Sequence, residues 1–322
     1  MTKIKSETKT NRSAPQIKEI REKFAKLLDK DRDRFEEVDI KRVMEDDWFV
    51  KRFLLARGKK TDGAYKMLVS TLEWRKEQGF ATLPANYFPA ELYYVNGMFD
   101  YEPDREGNTT IHIRVRYILR CGPLVPHAVK WASKFFYDLD TRLEGAFYTV
   151  VIDFADCGLK NAEFDFIRHA LNVLKNYIPA CLKRILVVDL PLILRFGYGL
   201  VRGWIPESGR NILIFLTRAE LDTYIDKENL PDYLGGTNKR AYQGMRMVPE
   251  GCPSAVEYGL RAGVPLDQCL KIAKVYEPLV KEIGLYELDA GDCLVDRVEK
   301  EIRCIKEGKQ ISSLRIPAPA AA

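Results

Sequence analysis

The sequence predicts an α/β protein, a helical N-terminal unit followed by a domain built on a central mixed β-sheet, and three observations carry that prediction. From about residue 83 short β-rich runs alternate with helical runs, the pattern of a sheet whose strands are joined by crossover helices. The runs VVID at 150–153 and ILVVD at 185–189 show no polar alternation, so those strands are covered on both faces. Before residue 83 the apolar residues recur at helical spacing.

Taken in chain order, residues 1–14 are polar and read as a solvated tail. A helix begins near Pro15, with Ile17, Ile20, Phe24, Leu27 and Leu28 on one side. A second helical region over 39–57 carries the stripe Trp48, Phe53 and Leu54 and stops at Gly58. Asp62 is placed to cap a third helix, whose Tyr65, Leu68, Val69, Leu72 and Trp74 share a side until Gly79 ends it. These helices make a unit over 15–82. Strands follow at 97–101, 109–117, 147–154, 183–189 and 211–216, and the turn formers EPDREGN predict a hairpin between the first two. Helices at 126–144, with Ala132, Phe135, Leu139 and Leu143 in register, and at 162–177, with Phe164, Ile167, Leu171 and Leu174 in register, fill the gaps. The sheet domain is assigned 83–244. A connection bearing Pro and Gly at 245–253 leads to one more amphipathic helix at 265–283, in which Pro278 marks a kink or an end. This C-terminal helical extension is assigned 245–306, and 307–322, ending IPAPAAA, reads as a second tail.

Composition narrows the function classes. Across 322 residues, 46% hydrophobic and 30% charged residues exclude a disordered chain, a collagen-like repeat and a disulfide miniprotein. The net charge of +5 favours an anionic membrane surface but falls short of a nucleic-acid binder, so no nucleic-acid partner is expected. The longest apolar stretch, 185–194, is interrupted by Asp189 and Pro191 and falls short of the about 20 residues a bilayer span needs. The opening MTKIKSETKTNRSAPQ lacks the apolar core of a secretory signal, so a cytoplasmic protein is expected. Seven scattered cysteines without a CxxC pair suggest reduced, packed thiols.

One segment asks for a functional explanation. Residues 191–205, PLILRFGYGLVRGWI, follow a buried strand and are apolar almost all the way round, with Arg195 and Arg202 seven positions apart on one side. Gly197, Gly199 and Gly203 each weaken the helix by up to about 1 kcal/mol relative to alanine. Composition leaves two readings open, a core helix between sheet and outer layer and a mobile lid over an apolar cavity.

The residues also meet a known pattern. FVKRFLLARGKKTDGAYKMLVSTLEWRKEQG, with Arg-Phe-Leu-x-Ala-Arg at Arg52 to Arg57 and Trp74-Arg75 near its end, resembles the helical N-terminal module of the CRAL-TRIO (Sec14-like) lipid-binding family. YTVVIDFADCG, YIPACLKRILVVDLP, the apolar helix and LPDYLGGT then occur in the family's order, so the resemblance spans about 45–237. Residues 150–179 and the Trp-Ile-Pro-Glu at 204–207 look most like members that also carry a motile sperm domain, although neither that domain nor a tail anchor is expected here.

The resemblance implies a CRAL-TRIO fold in which the sheet floors a lipid pocket and the helix after the Asp-Leu-Pro turn is a gate. Laid onto that floor, strand alternation puts Tyr148, Val150, Ile152, Ile185 and Val187 on the pocket side, with Leu213 and Phe215 from the next strand and Tyr198 and Val201 from the gate. Leu194, Arg195, Phe196, Leu200, Arg202 and Trp204 are assigned to the gate and its membrane contact. Family members that hold phosphatidylinositol place a glutamate just after the proline matched by Pro179 and a lysine early in the next strand. Ala180 and Ile212 stand there instead, which disfavours that headgroup and fits another phospholipid, a sterol-like or an isoprenoid ligand.

Other chemistry finds less support. Asp153 and Asp156 follow a buried strand, where catalytic or metal-binding carboxylates often sit, but no His or Cys clusters near them and bonding to turn amides is favoured. His112, His127 and His169 lack metal spacing, and His169 is read as a half-buried packing residue. There is no P-loop, GxGxxG, GxSxG or phosphatase-type Cys and Arg spacing, so neither an enzyme nor a cofactor beyond the bound lipid is expected. The reading is a non-catalytic carrier or presenter of a hydrophobic lipid at cytosolic membrane faces, in transient contact with the membrane. The alternative is a lipid-sensing or tethering adaptor, with a protein partner at the C-terminal helix.

Overall fold

The computed structural model describes residues 13–205, 210–286 and 293–309. Nearly all of both tails assigned from the sequence lies outside the described residues. In chain order the elements are α1 (Ala14–Asp31), α2 (Glu37–Glu45), α3 (Asp47–Ala56), α4 (Thr61–Gln78), α5 (Ala90–Val95), β1 (Met98–Pro103), β2 (Thr109–Arg114) and α6 (Val125–Arg142). There follow β3 (Tyr148–Asp153), α7 (Phe164–Tyr177), β4 (Leu182–Val188), α8 (Leu192–Trp204), β5 (Leu213–Leu216), α9 (Ala255–Arg261), α10 (Leu266–Ile283) and α11 (Leu294–Lys306). They divide into two compact units.

The first unit holds residues 13–83 with Ala132–Phe147 and His169–Leu182. It is thus larger than the 15–82 segment read from the sequence, taking in the C-terminal parts of α6 and α7. Its apolar core packs Ile17, Ile20 and Phe24 of α1 with Val43 of α2, Phe49, Val50, Phe53 and Leu54 of α3, and Leu68 and Leu72 of α4. The single helical region read over 39–57 is broken, because the Asp46 carboxylate accepts the Phe49 amide at 3.1 Å and starts α3 afresh. Asp62 is no cap: Lys60 holds that position without a side-chain bond, and Asp62 in the first turn pairs with Lys23 at 2.8 Å.

Arg52 and Arg75, from the two segments that carry the resemblance, are buried in this unit. The Arg52 guanidinium bonds both oxygens of Asp140, while Arg42 reaches the same carboxylate at 3.0 Å and Arg75 bonds Asp39 at 2.9 Å. The guanidinium carbons of Arg42, Arg52 and Arg75 stand 4.5, 5.7 and 5.6 Å from the Phe49 ring centre. Buried charges cost several kcal/mol each unless paired, and here pairing and ring faces meet the cost together. Burial pushes the Asp140 carboxyl up, but the charges of Arg52, Arg75 and Arg42 prevail and hold it below its ordinary value. Trp74 stacks on Tyr177 with centroids 4.6 Å apart.

The second unit carries the sheet, in the order β1-β2-β3-β4-β5. β1 and β2 form the expected hairpin, β2 and β3 are parallel, and so are β4 and β5, which makes the sheet mixed. Asp104 in the hairpin turn accepts the amides of Glu106 and Asn108 and the Thr149 hydroxyl at 2.6 Å, fixing the turn to β3. The strand read as 109–117 ends at Arg114, where a 3-10 turn over Val115–Tyr117 takes over.

The C-terminal extension is part of this unit. Val256, Ala273, Val280, Leu285, Leu294, Val298 and Ile302 make a core of their own from α9, α10 and α11. Helix α10 neither ends nor breaks at Pro278, running on until Gly284 closes it at φ +60°. The sequence reading missed α5, α9 and α11, of which the first two have only 6 and 7 residues, too short for a periodic signal to stand out.

Candidate functional site

The two faces of the sheet differ. On one, Val151, Leu186 and Val188 pack against Leu221, Ile225, Leu230 and Leu234, with Ile214 and Leu216 beside them. Phe99 and Tyr101 extend this face under Tyr233 and Tyr242. The pairing of Phe99 with His112 and of Arg114 with Asp153 puts the buried polar residues of the sheet on this side as well. His112 is stacked on Phe99 at 5.2 Å and hydrogen-bonded through its two ring nitrogens to Thr110 and Tyr233. Burial, helped by the charges of Arg240 and Arg114, pushes its pKa down to about 3, so it is a neutral packing residue.

Side chains alternate along a strand, so the neighbours of those residues point the other way. Ile111 pairs with Val150 and Ile113 with Ile152 across β2 and β3, while Ile185 pairs with Leu213 and Val187 with Phe215 across β4 and β5. Tyr148 begins the row, and all seven strand residues read as pocket floor from the sequence therefore share one face. Tyr148, Val150 and Val187 are buried, Ile152, Ile185 and Leu213 are half-buried, and Phe215 at the β5 edge is 46% exposed.

The turn from β4 into α8 is tightly held. Asp189 adopts φ +53°, an uncommon conformation for a side chain larger than glycine, and accepts the Arg218 amide at 3.0 Å while its other oxygen pairs with the Arg218 guanidinium at 3.3 Å. The same guanidinium reaches Asp153 at 3.2 Å, and Asp153 also accepts the Ala155 amide. Burial raises the Asp153 carboxyl above its ordinary value against the pull of that amide and of Arg218. Asp156 pairs with Arg116 at 2.9 Å. Each carboxylate has a structural partner, and among the described residues no group of three or more His, Cys, Asp or Glu is arranged to hold a metal.

Helix α8 covers 192–204 of the 191–205 read from the sequence. Arg195 and Arg202 are exposed, and Leu194 and Trp204 are half-buried. The side chains of Phe196, Tyr198, Leu200 and Val201 lie outside the described residues. Sequence reasoning missed the two most exposed apolar side chains of its first turn, Leu192 at 73% and Ile193 at 51%, because a helix apolar all round gives no sign of which side faces water. A Cβ on Gly197 would lie 3.2 Å from the Phe164 ring of α7, whereas Gly199 and Gly203 face nothing within 4 Å. No residue of α7 is fully buried, although Phe166, Ile167, Leu171 and Leu174 are half-buried and Phe164 is 37% exposed. His169, read as half-buried, is exposed, since it falls on the polar side of that helix. Ala180 and Ile212 are both half-buried. No helix among the described residues is long and apolar enough to cross a membrane.

Residues 98–236 match the CRAL/TRIO domain family. A CRAL-TRIO domain-containing protein of Schizosaccharomyces pombe is 22% identical over 225 residues, 66% of this chain and 49% of that protein. Human tyrosine-protein phosphatase non-receptor type 9 is 25% identical over 191 residues, 58% of this chain and 32% of the phosphatase. Protein real-time of Drosophila melanogaster is 26% identical over 233 residues, 62% of this chain and 34% of that protein. The chain thus spans about half the length of the first of these relatives and about a third of the other two. The crystal structure of Sfh5 superimposes with a TM-score of 0.50 at 16% identity, covering 80% of this chain and 98% of Sfh5, which supports the fold.

Proposed function

We propose, from the match of residues 98–236 to the CRAL/TRIO domain family, that the chain binds a hydrophobic lipid over the sheet face that carries the row from Tyr148 to Phe215 and carries or presents it at cytosolic membrane surfaces, with α8 as the cover. The observation that carries this reading is the apolar row on the face opposite the one packed against the segment 221–234: Tyr148, Val150 and Val187 are buried, Ile152, Ile185 and Leu213 half-buried, and Phe215 at the β5 edge is 46% exposed. Helix α8 is the crossover between the parallel strands β4 and β5, and with the packed face already filled, the row from Tyr148 to Phe215 is the face left for it.

Physical need supports the reading. An acyl chain of about fifteen methylenes resists leaving a bilayer by roughly 12 kcal/mol, so a carrier has to offer equivalent apolar surface. Leu194 and Trp204, together with the exposed Leu192 and Ile193, enter the acyl boundary when the cover opens. Arg195 and Arg202 each add about 1 kcal/mol on an anionic leaflet. Ala180 and Ile212 stand where the phosphatidylinositol-holding pattern has a glutamate and a lysine, so a phospholipid other than phosphatidylinositol, a sterol-like or an isoprenoid ligand is favoured. The lipid is the ligand, and no other cofactor enters. A protein partner at α10 would meet its exposed Leu266 and Val275, since the other side is committed to the C-terminal core.

Lipid extraction of the purified chain followed by a vesicle transfer assay tests the proposal. Bound lipid that moves between vesicles supports a carrier, and bound lipid that does not move supports the sensing adaptor. A chain that takes up none refutes both.

A further inference from the structure

We infer that Phe164 is the latch of the cover: its ring, seated against Gly197, holds α8 closed over the row from Tyr148 to Phe215. The inference rests on α8 being a cover, as proposed above. Three glycines loosen α8, but they are not equivalent. Gly199 and Gly203 face open space, so their absent side chains serve only to soften the helix, whereas Gly197 is where the Phe164 ring approaches to 3.2 Å of an added Cβ. A side chain there would require the ring to give by a few tenths of an ångström.

The ring stands on a firm post. Phe164 is the first residue of α7, three positions after the buried Asn161. The Asn161 amide donates to the carbonyls of Val115 and Arg116, both at 3.2 Å, and of Ile118 at 3.1 Å, while its oxygen accepts the Gly158 amide at 3.0 Å. The turn that receives these bonds is braced in its own right. Arg116 pairs with Asp156 and with Glu282 of α10, and the Tyr276 hydroxyl of α10 reaches the Leu119 carbonyl at 3.4 Å. A ring on a rigid mount therefore meets a helix built to yield, which is the arrangement a reversible catch requires. It also gives the C-terminal extension a part in the site, as the support behind the post.

Amide hydrogen exchange over 192–204 in the full chain tests the latch without any ligand. Phe164→Ala should speed exchange by about five- to tenfold, the loss of one aromatic contact, and Phe164→Leu, which keeps apolar bulk, should stay near wild type. Gly197→Val should speed it more than Gly199→Val, since both bear the same cost as helix residues and only the first meets Phe164. Equal effects of the two valines, or wild-type exchange in Phe164→Ala, would overturn the latch. The cover is tested apart from it, by joining Phe164→Cys and Gly197→Cys with a short thiol cross-linker and following uptake of pyrene-labelled dodecanoate from phosphatidylcholine vesicles. Uptake blocked by the cross-link supports the cover. Uptake at the uncross-linked rate refutes the cover, and the latch proposal with it, even where the exchange data show the Phe164 contact to be real.

Discussion

Arg52 and Asp140, 88 residues apart in sequence, form a two-point ion pair in which the guanidinium is wholly shielded from solvent. The same carboxylate serves Arg42 and lies 3.5 Å from Arg75, so one aspartate on α6 balances arginines from α2, α3 and α4. It joins three helices that lie far from it in the sequence.

Asp140→Ala should therefore be among the most damaging single changes in the first unit, because it leaves three arginines facing one another in a dry interior. A loss of about 3–5 kcal/mol is expected. Arg52→Met should cost less, since Asp140 keeps two partners. Urea unfolding followed by the fluorescence of Trp48 and Trp74 reads both, and equal losses would show that the network does not centre on Asp140.

The C-terminal helices should loosen as pH rises. Burial, with the nearby Glu91 charge, lifts the Glu301 carboxyl to about 7 despite its bond from Ser254, and burial also raises Glu91, which the Tyr286 hydroxyl caps. A carboxyl whose folded pKa is raised contributes no penalty below its unfolded value near 4.5, a growing one between there and about 7, and a constant one above. The thermal midpoint should thus be higher at pH 5 than at pH 8, and Glu301→Gln should raise it at pH 8 while leaving pH 5 nearly unchanged. A midpoint in Glu301→Gln that tracks wild type at both pH values would rule Glu301 out as the source. Asp140 acts at the other end: its lowered pKa gives stability that is present at neutral pH and lost as acid protonates it.

Val187→Asp places a charge in the row from Tyr148 to Phe215 and should abolish lipid occupancy. Phe215→Asp, at the exposed end of the same row, should weaken occupancy at least tenfold with little cost in stability, which keeps the test readable if the first variant unfolds. Circular dichroism together with lipid extraction decides the matter. Full occupancy in folded Phe215→Asp would mean that the row near β5 is not a lipid wall.

Replacing Arg195 and Arg202 by Glu reverses two exposed charges on α8. Binding to phosphatidylserine-containing vesicles should fall by roughly 2 kcal/mol or more, with little change on phosphatidylcholine alone. Co-sedimentation at low salt measures both, and equal losses on the two vesicles would leave the arginines no electrostatic part.

Much of this was legible in the sequence because it rests on period and order. The resemblance chose the face and strand alternation put Tyr148, Val150, Ile152, Ile185 and Val187 on it, with Leu213 and Phe215 from the next strand; the β4–β5 register pairs Ile185 with Leu213 and Val187 with Phe215. The LGGT motif could be recognised but not explained; a Cβ on Gly236 would stand 1.9 Å from the Leu230 carbonyl oxygen, so the turn admits no side chain there. What was not legible depends on partners distant in sequence. Nothing near Arg52 announces Asp140, and Asn161 reads as a loop residue until its three carbonyls are in place. The start of α3 was missed because Asp46 and Asp47 suit a helix surface as well as a cap.

The central claim is that the sheet face carrying the row from Tyr148 to Phe215 holds a lipid. Native mass spectrometry of the chain after incubation with mixed vesicles of phosphatidylcholine, phosphatidylethanolamine and cholesterol tests it most directly. The account predicts one lipid mass per chain, missing in Val187→Asp and Phe215→Asp; a bare mass for the wild-type chain, or the same adduct on all three, would contradict it.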